Sequence, residues 1–148
     1  MKYFAYGSNM SLKRMEQRGV TISQRVKACL FGYSLEFNKI STRFAGEGVA
    51  NVVKEKNSVV EGVLYEITEQ GIRNLDKYEN YPFEYDRRLL DVRLPGGIEC
   101  KAQVYIAQPS KISNSLKPAK DYLFHLLCAE DLLSANYFSK LSRYKTTR

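Results

Sequence analysis

Apolar and polar positions alternate most clearly between Lys27 and Phe37. Cys29, Phe31, Tyr33, Leu35 and Phe37 fall on one side, and Ala28, Gly32, Ser34 and Glu36 mostly on the other. A period of two marks a strand with one buried face. Residues 1–6 read as a short strand that stops at Gly7-Ser8-Asn9. A helix follows, which Ser8, Asn9 or Ser11 can cap, with Leu12 and Met15 as apolar contacts and Gly19 at its end. After the flexible stretch 41–48, Val49–Val53 and Val59–Ile67 are apolar on both faces. They read as central strands joined by a polar turn, Lys54–Ser58. Leu89–Leu94 and Ile98–Ile106 flank Pro95-Gly96-Gly97, a hairpin signal. Ile98, Cys100, Ala102, Val104 and Ile106 share a face of the second strand. Beyond Pro118 the period lengthens: Tyr122, Leu123, Leu126 and Leu127, then Leu132, Leu133, Tyr137 and Leu141, predict helices. About six hairpin-connected strands and three or four helices predict an α+β fold with a small closed or strongly curled sheet.

The 148 residues fit one domain, 1–148, with no repeat or linker dividing it. With 44% hydrophobic and 26% charged residues, the chain reads as globular rather than disordered. No apolar run is long enough for a membrane span, and the start MKYFAYGSNM does not have the build of a signal peptide. Cys29, Cys100 and Cys128 are an odd number at wide spacing, which suits reduced thiols in a cytoplasmic protein better than a disulfide framework. The net charge of +7 invites a nucleic-acid reading. The basic residues are scattered, however, with Lys13, Arg14 and Arg18 near one end, Arg87, Arg88 and Arg93 in the middle, and Lys140, Arg143, Lys145 and Arg148 at the other. A solvated basic surface is the better reading, and nucleic acid is not the expected partner.

Three segments can carry chemistry. Tyr6-Gly7-Ser8-Asn9 lies where a strand meets a helix. There glycine lets main chain approach a ligand, the free N–H groups of a helix start point outward, and Ser8 and Asn9 add side-chain donors. A capped helix start with no ligand has the same composition. In Thr68–Glu79, Thr68 can cap a helix whose apolar positions are Ile72 and Leu75, and the same stripe reaches Glu79. A carboxylate on a buried stripe needs partners, and burial raises its pKa, which is how a glutamate becomes a general acid or base. A helix that frays at Tyr78 would instead leave Glu79 exposed. Tyr78, Tyr81, Phe83 and Tyr85 form an aromatic cluster, and Tyr suits a small polar pocket as well as a core. His125 and Cys128 stand at i, i+3, but their neighbours are apolar and no knuckle spacing accompanies them, so no metal site is expected. There is no Gly-rich phosphate loop.

Phe4-Ala5-Tyr6-Gly7-Ser8-Asn9-Met10 resembles the signature of the γ-glutamylcyclotransferase-like superfamily, which includes the AIG2-like proteins. Other landmarks fall in the family's order. Gly48-Val49-Ala50 looks like its G-x-A strand, and Glu61-Gly62-Val63-Leu64-Tyr65 like its W-G-V-x-Y strand, with Glu61 in place of Trp. Leu75-Asp76-Lys77-Tyr78-Glu79 is similar to its L-D-x-x-E segment, followed by a matching Tyr85. Members often carry Gly directly after the glutamate, where this chain has Asn80. The resemblance covers about residues 1–144. It implies a small, mixed, barrel-like sheet with flanking helices. It also implies a site in which the main chain of Tyr6–Asn9 cradles a γ-glutamyl group, Tyr6 and Tyr85 help to hold it, and Glu79 is the acid/base. The implied partner is a small γ-glutamyl substrate, with no cofactor and no metal. The leaving amine is open among an amino acid, a polyamine, a lysine side chain and a larger amine. A binding domain without activity on the same fold is the alternative.

Overall fold

The computed structural model describes residues 1–147, so that Arg148, the last of the scattered basic positions, lies outside it. In chain order the elements are β1 (Lys2–Ala5), α1 (Leu12–Gln17), β2 (Ile22–Ile40), β3 (Gly48–Ile67), α2 (Glu69–Tyr78), β4 (Tyr85–Arg93), β5 (Glu99–Ala107), α3 (Lys120–Leu127) and α4 (Ala135–Ser142). The strands close into a barrel in the order β1-β3-β2-β4-β5. All pairs are antiparallel except β1 with β5, whose parallel contact at Tyr3 and Gln103 shuts the barrel. A closed barrel leaves no exposed edge and forces its inner face to be filled by side chains. Phe4, Leu30, Val60, Leu64, Val92 and Val104 fill it. Val63 and Tyr65 lie on the other face of β3 and are also buried, Tyr65 donating to the carbonyls of Asn9 and Met10. Met15, Leu75, Leu126 and Leu141 are the buried residues by which the helices pack on the sheet.

The sheet has five strands, not six. Lys54–Ser58 is not a turn between strands; it lies within β3, whose pairing with β2 lapses over residues 55–58 and resumes on either side. Its polarity marks an exposed irregularity. Pairing jumps from Phe31 opposite Val59 to Tyr33 opposite Lys54, with Gly32 at φ 81° and Asn57 at φ 69°. This bulge also corrects the face expected for Lys27–Phe37. A one-residue offset exchanges the two faces of a strand. Before Gly32 the buried residues are Ala28 and Leu30 and Phe31 is 50% exposed; after it Phe37 and Lys39 are buried. The outer end of the β4–β5 hairpin differs too: Ala102 and Val104 are buried but Ile98 is exposed.

Two glycines permit the barrel's closest approaches. A Cβ on Gly62 would stand 2.3 Å from the carbonyl oxygen of Ala5, and one on Gly48 2.0 Å from that of Phe37. Only hydrogen fits at either point. The first contact holds the end of β1, from which the Tyr6–Asn9 segment departs.

Candidate active site

Beyond β1 the chain makes one tight helical turn, Ser8–Met10, in which Met10 N–H donates to Gly7 O at 3.0 Å. A helix start leaves its first N–H groups without main-chain partners. Ser11, not Ser8 or Asn9, caps α1, its hydroxyl accepting from Arg14 N–H at 3.2 Å. Gly7 packs against Ala50 and the Tyr122 hydroxyl so closely that a Cβ would lie 3.0 and 3.1 Å from them.

Thr68 caps α2 as its sequence predicts, accepting from Gly71 N–H at 3.0 Å. Ile72 and Leu75 are buried on the same stripe as Glu79. The helix ends at Tyr78 but does not fray. Asn80, at φ 51°, donates to Lys77 O, and Tyr81 N–H donates to Asp76 O at 2.9 Å. This pair of bonds around a left-handed residue is the Schellman ending, which fixes the helix terminus. Glu79, the last residue before the left-handed one, therefore keeps the helical direction. Asn tolerates this conformation better than other residues with a side chain, which accounts for its presence where a glycine is often found.

These two stretches meet. Asn9 Nδ2 lies 3.3 Å from Glu79 Oε1 and 2.9 Å from the Tyr3 hydroxyl, and Arg18 Nη1 donates both to Asn9 Oδ1 (3.0 Å) and to Glu79 Oε1 (3.3 Å). The Glu79 side chain is only 16% exposed. Burial raises its pKa above the usual carboxylate range, against the pull of Arg18, Arg14, the Asn9 hydrogen bond and Lys39. A carboxyl so placed takes up and releases protons nearer neutrality.

Glu79 and the Tyr6–Asn9 segment line one cavity of about 530 Å³, with Tyr85, Tyr105 and Tyr122 in its wall. Each expected site residue thus reaches the same space, though not all through the groups expected. The Asn9 side chain is taken up by Tyr3, Arg18 and Glu79, so it orients the carboxylate. The Tyr6 hydroxyl donates to Tyr105 O at 2.6 Å and that of Tyr85 to Ala50 O at 2.7 Å, leaving their rings as wall. Burial holds both phenols well above their ordinary pKa, so they remain donors. The rest of the aromatic cluster divides. Phe83 is exposed, Tyr81 lies under the Arg87 guanidinium, and Tyr78 meets Arg18 at the cavity wall.

The sequence reading missed Tyr122, Arg14, Arg18 and Lys39. Tyr122 accepts from Ala50 N–H at 3.0 Å and from the main chain of Ser8, and burial pushes its pKa up to about 12. Among the described residues its own proton has no acceptor, and it is available to the cavity. Lys39, just beyond a second register shift in β2 between Glu36 and Lys39, lines the cavity and pairs with Glu84. His125 meets Arg14 rather than Cys128, and among the described residues no three His, Cys, Asp or Glu side chains are grouped to hold a metal. None of the described helices is long and apolar enough to cross a membrane.

The sequence model of the gamma-glutamyl cyclotransferase, AIG2-like family matches residues 3–124. The chain belongs to that family. Among solved structures, a gamma-glutamyl cyclotransferase superposes with a TM-score of 0.87 at 21% identity, covering 99% of this chain and 89% of the other. YkqA from Bacillus subtilis gives 0.84 at 26% identity over 97% of this chain and 53% of its own. A yeast gamma-glutamyl cyclotransferase specific to glutathione gives 0.65 at 16% identity over 95% and 93%. No curated sequence matches. The barrel with flanking helices is therefore the fold of the cyclotransferase family, and its Tyr6–Asn9 segment and Glu79 line one cavity.

Proposed function

We propose that the chain is a cyclotransferase that acts on γ-glutamyl amides or dipeptides and releases 5-oxoproline together with a free amine or amino acid. The observation that carries this reading is the convergence of Glu79 on Asn9 across seventy positions of sequence, in a cavity walled by the Tyr6–Asn9 segment.

The substrate's α-amine attacks its own γ-carbonyl carbon. A C–N bond closes the five-membered ring, the original amide C–N bond breaks, and the proton lost by the amine goes to the departing nitrogen. Glu79 carries that proton. An α-amino group titrates near 8 and an ordinary glutamate near 4.3, so the first transfer is uphill by roughly 5 kcal/mol. Each pKa unit gained by Glu79 through burial lowers this by about 1.4 kcal/mol. Arg18 works in the opposite direction and keeps the carboxylate ionised often enough to accept. The Tyr122 hydroxyl, which accepts from the main chain of Ser8 and from Ala50 N–H and so keeps its own proton to give, and the Gly7 N–H face the oxygen on which negative charge develops. One such donor is worth about 3 kcal/mol in other enzymes. The rings of Tyr6 and Tyr85 narrow the space, so that the glutamyl chain is held folded on itself, which lowers the entropic barrier to closure by several kcal/mol.

The test is a panel of γ-glutamyl dipeptides and γ-glutamyl amines incubated with the purified chain, with 5-oxoproline and free amine quantified by chromatography. Stoichiometric release of both is the expected result. Binding without release would leave the fold as a recognition domain.

A further inference from the structure

The cavity's cations are not equivalent. Arg18 pairs with Glu79, Lys39 with Glu84, and Arg43 with Glu47 and Asp121. Arg14 is different. Among the described residues no carboxylate stands within ion-pair distance of it. Its Nη1 lies 3.1 Å from His125 Nε2, and its buried Nε has no partner. Burial and the fields of Arg14, Arg18 and Arg43 hold His125 below the ordinary imidazole range, so at neutral pH its Nε2 is an acceptor on an uncharged ring. A neutral acceptor positions a guanidinium without discharging it. Partial burial of a cation with no anion is unfavourable, and a ligand carboxylate would relieve it through a paired contact of the kind arginine makes best.

Location decides which carboxylate. Arg14 lines the same cavity as Tyr122 and Glu79, and Arg43 and Asp121, which are solvent-accessible, line it too. With the glutamyl head under Gly7 and Ser8, the leaving nitrogen must face Glu79 to receive its proton. The remainder of the leaving group then runs outward past Arg14. Resting on the cyclotransferase reading above, we infer that Arg14, held by His125, receives the carboxylate of the leaving group. The preferred substrates are then γ-glutamyl amino acids or peptides rather than γ-glutamyl polyamines or other γ-glutamyl amines without a carboxylate.

Two matched substrates test this. γ-Glutamyl-alanine carries the carboxylate; γ-glutamyl-alaninamide replaces it with a neutral amide and keeps the leaving nitrogen. The wild-type chain should favour the acid in kcat/KM by about 10- to 100-fold, the range for a hydrogen bond to a charged group. Arg14→Met should bring that ratio close to one, and Arg14→Lys should restore part of it. Comparing two substrates on one variant separates recognition from loss of fold, which lowers both rates together. Equal losses on both substrates in Arg14→Met, or a wild type indifferent to the carboxylate, overturn the assignment of Arg14 while 5-oxoproline release stands. Release from neither substrate by the wild type overturns the cyclotransferase reading itself, and this inference with it.

Discussion

Glu61 accepts both hydrogens that Ser134 can give, the main-chain N–H at 2.7 Å and the hydroxyl at 2.6 Å, and Ser134 in turn caps α4 by accepting from Tyr137 N–H at 3.2 Å. A glutamate on β3, reaching across to the start of the last helix, thus replaces apolar packing with a polar clamp to which Lys27 adds a cation at 3.5 Å. Its place is on the barrel's outside and away from the cavity. Glu61→Ala should therefore lower the free energy of unfolding by about 1–3 kcal/mol, since it orphans two donors. Denaturant unfolding reads the stability. Turnover to 5-oxoproline, measured well below the melting temperature, should match that of the wild type. Slower turnover with unchanged stability would contradict this role.

The ending of α2 makes a second prediction. Asn80 sits at φ 51° one residue beyond Glu79. Asn80→Gly should be tolerated within about 1 kcal/mol, whereas Asn80→Val should destabilise by about 2 kcal/mol and reduce turnover as the carboxylate loses its position. Thermal melts and steady-state rates on the two variants check both halves.

Titration of Glu79 should be visible in stability. Its folded-state pKa is raised from the ordinary 4.5, so the folded protein holds this proton more tightly than the unfolded chain. The resulting stabilisation is fully present below 4.5 and is lost as pH rises through the folded-state value. Glu79→Gln does not titrate. Relative to wild type, the variant should gain stability as pH rises from 4.5 and then level off. Denaturant midpoints measured from pH 4 to pH 8 test this, and a difference that is flat or falls with pH contradicts it.

Arg18 pulls the other way, because its guanidinium favours the ionised carboxylate. Arg18→Met should raise the Glu79 pKa further and move the acid limb of kcat/KM to higher pH. An unmoved limb would mean that a different group controls it.

Much of this site was legible in the chain because its parts are local. The stripe through Ile72, Leu75 and Glu79 needs only helical periodicity, and Tyr6–Asn9 declares itself by its place between strand and helix. Gly48 and Gly62 are explained only by the closed barrel, where a neighbouring carbonyl occupies the place of a Cβ. The charged wall was hidden for a similar reason. α1 buries only Met15, so nothing in its pattern separates Arg14 and Arg18 from other surface cations until α2 and α3 pack beside it. Lys39 was hidden because the apolar alternation of β2 ends at Phe37 and a second register shift, between Glu36 and Lys39, follows it, so nothing in the pattern marks this lysine as buried. Lys54–Ser58 misled because its polar residues, of which 55–58 have no partner on β2, have the composition of a turn although the strand continues through them.

Glu79 moving the proton is the claim on which the proposed chemistry depends. Its most direct test is the rate of 5-oxoproline release from γ-glutamyl-alanine by wild type and by Glu79→Gln, with product binding measured by calorimetry on both. The variant is expected to bind 5-oxoproline and to turn over about 10²- to 10⁴-fold more slowly, the range for removal of a general acid/base. A Glu79→Gln protein that cyclises the dipeptide at the wild-type rate would contradict it.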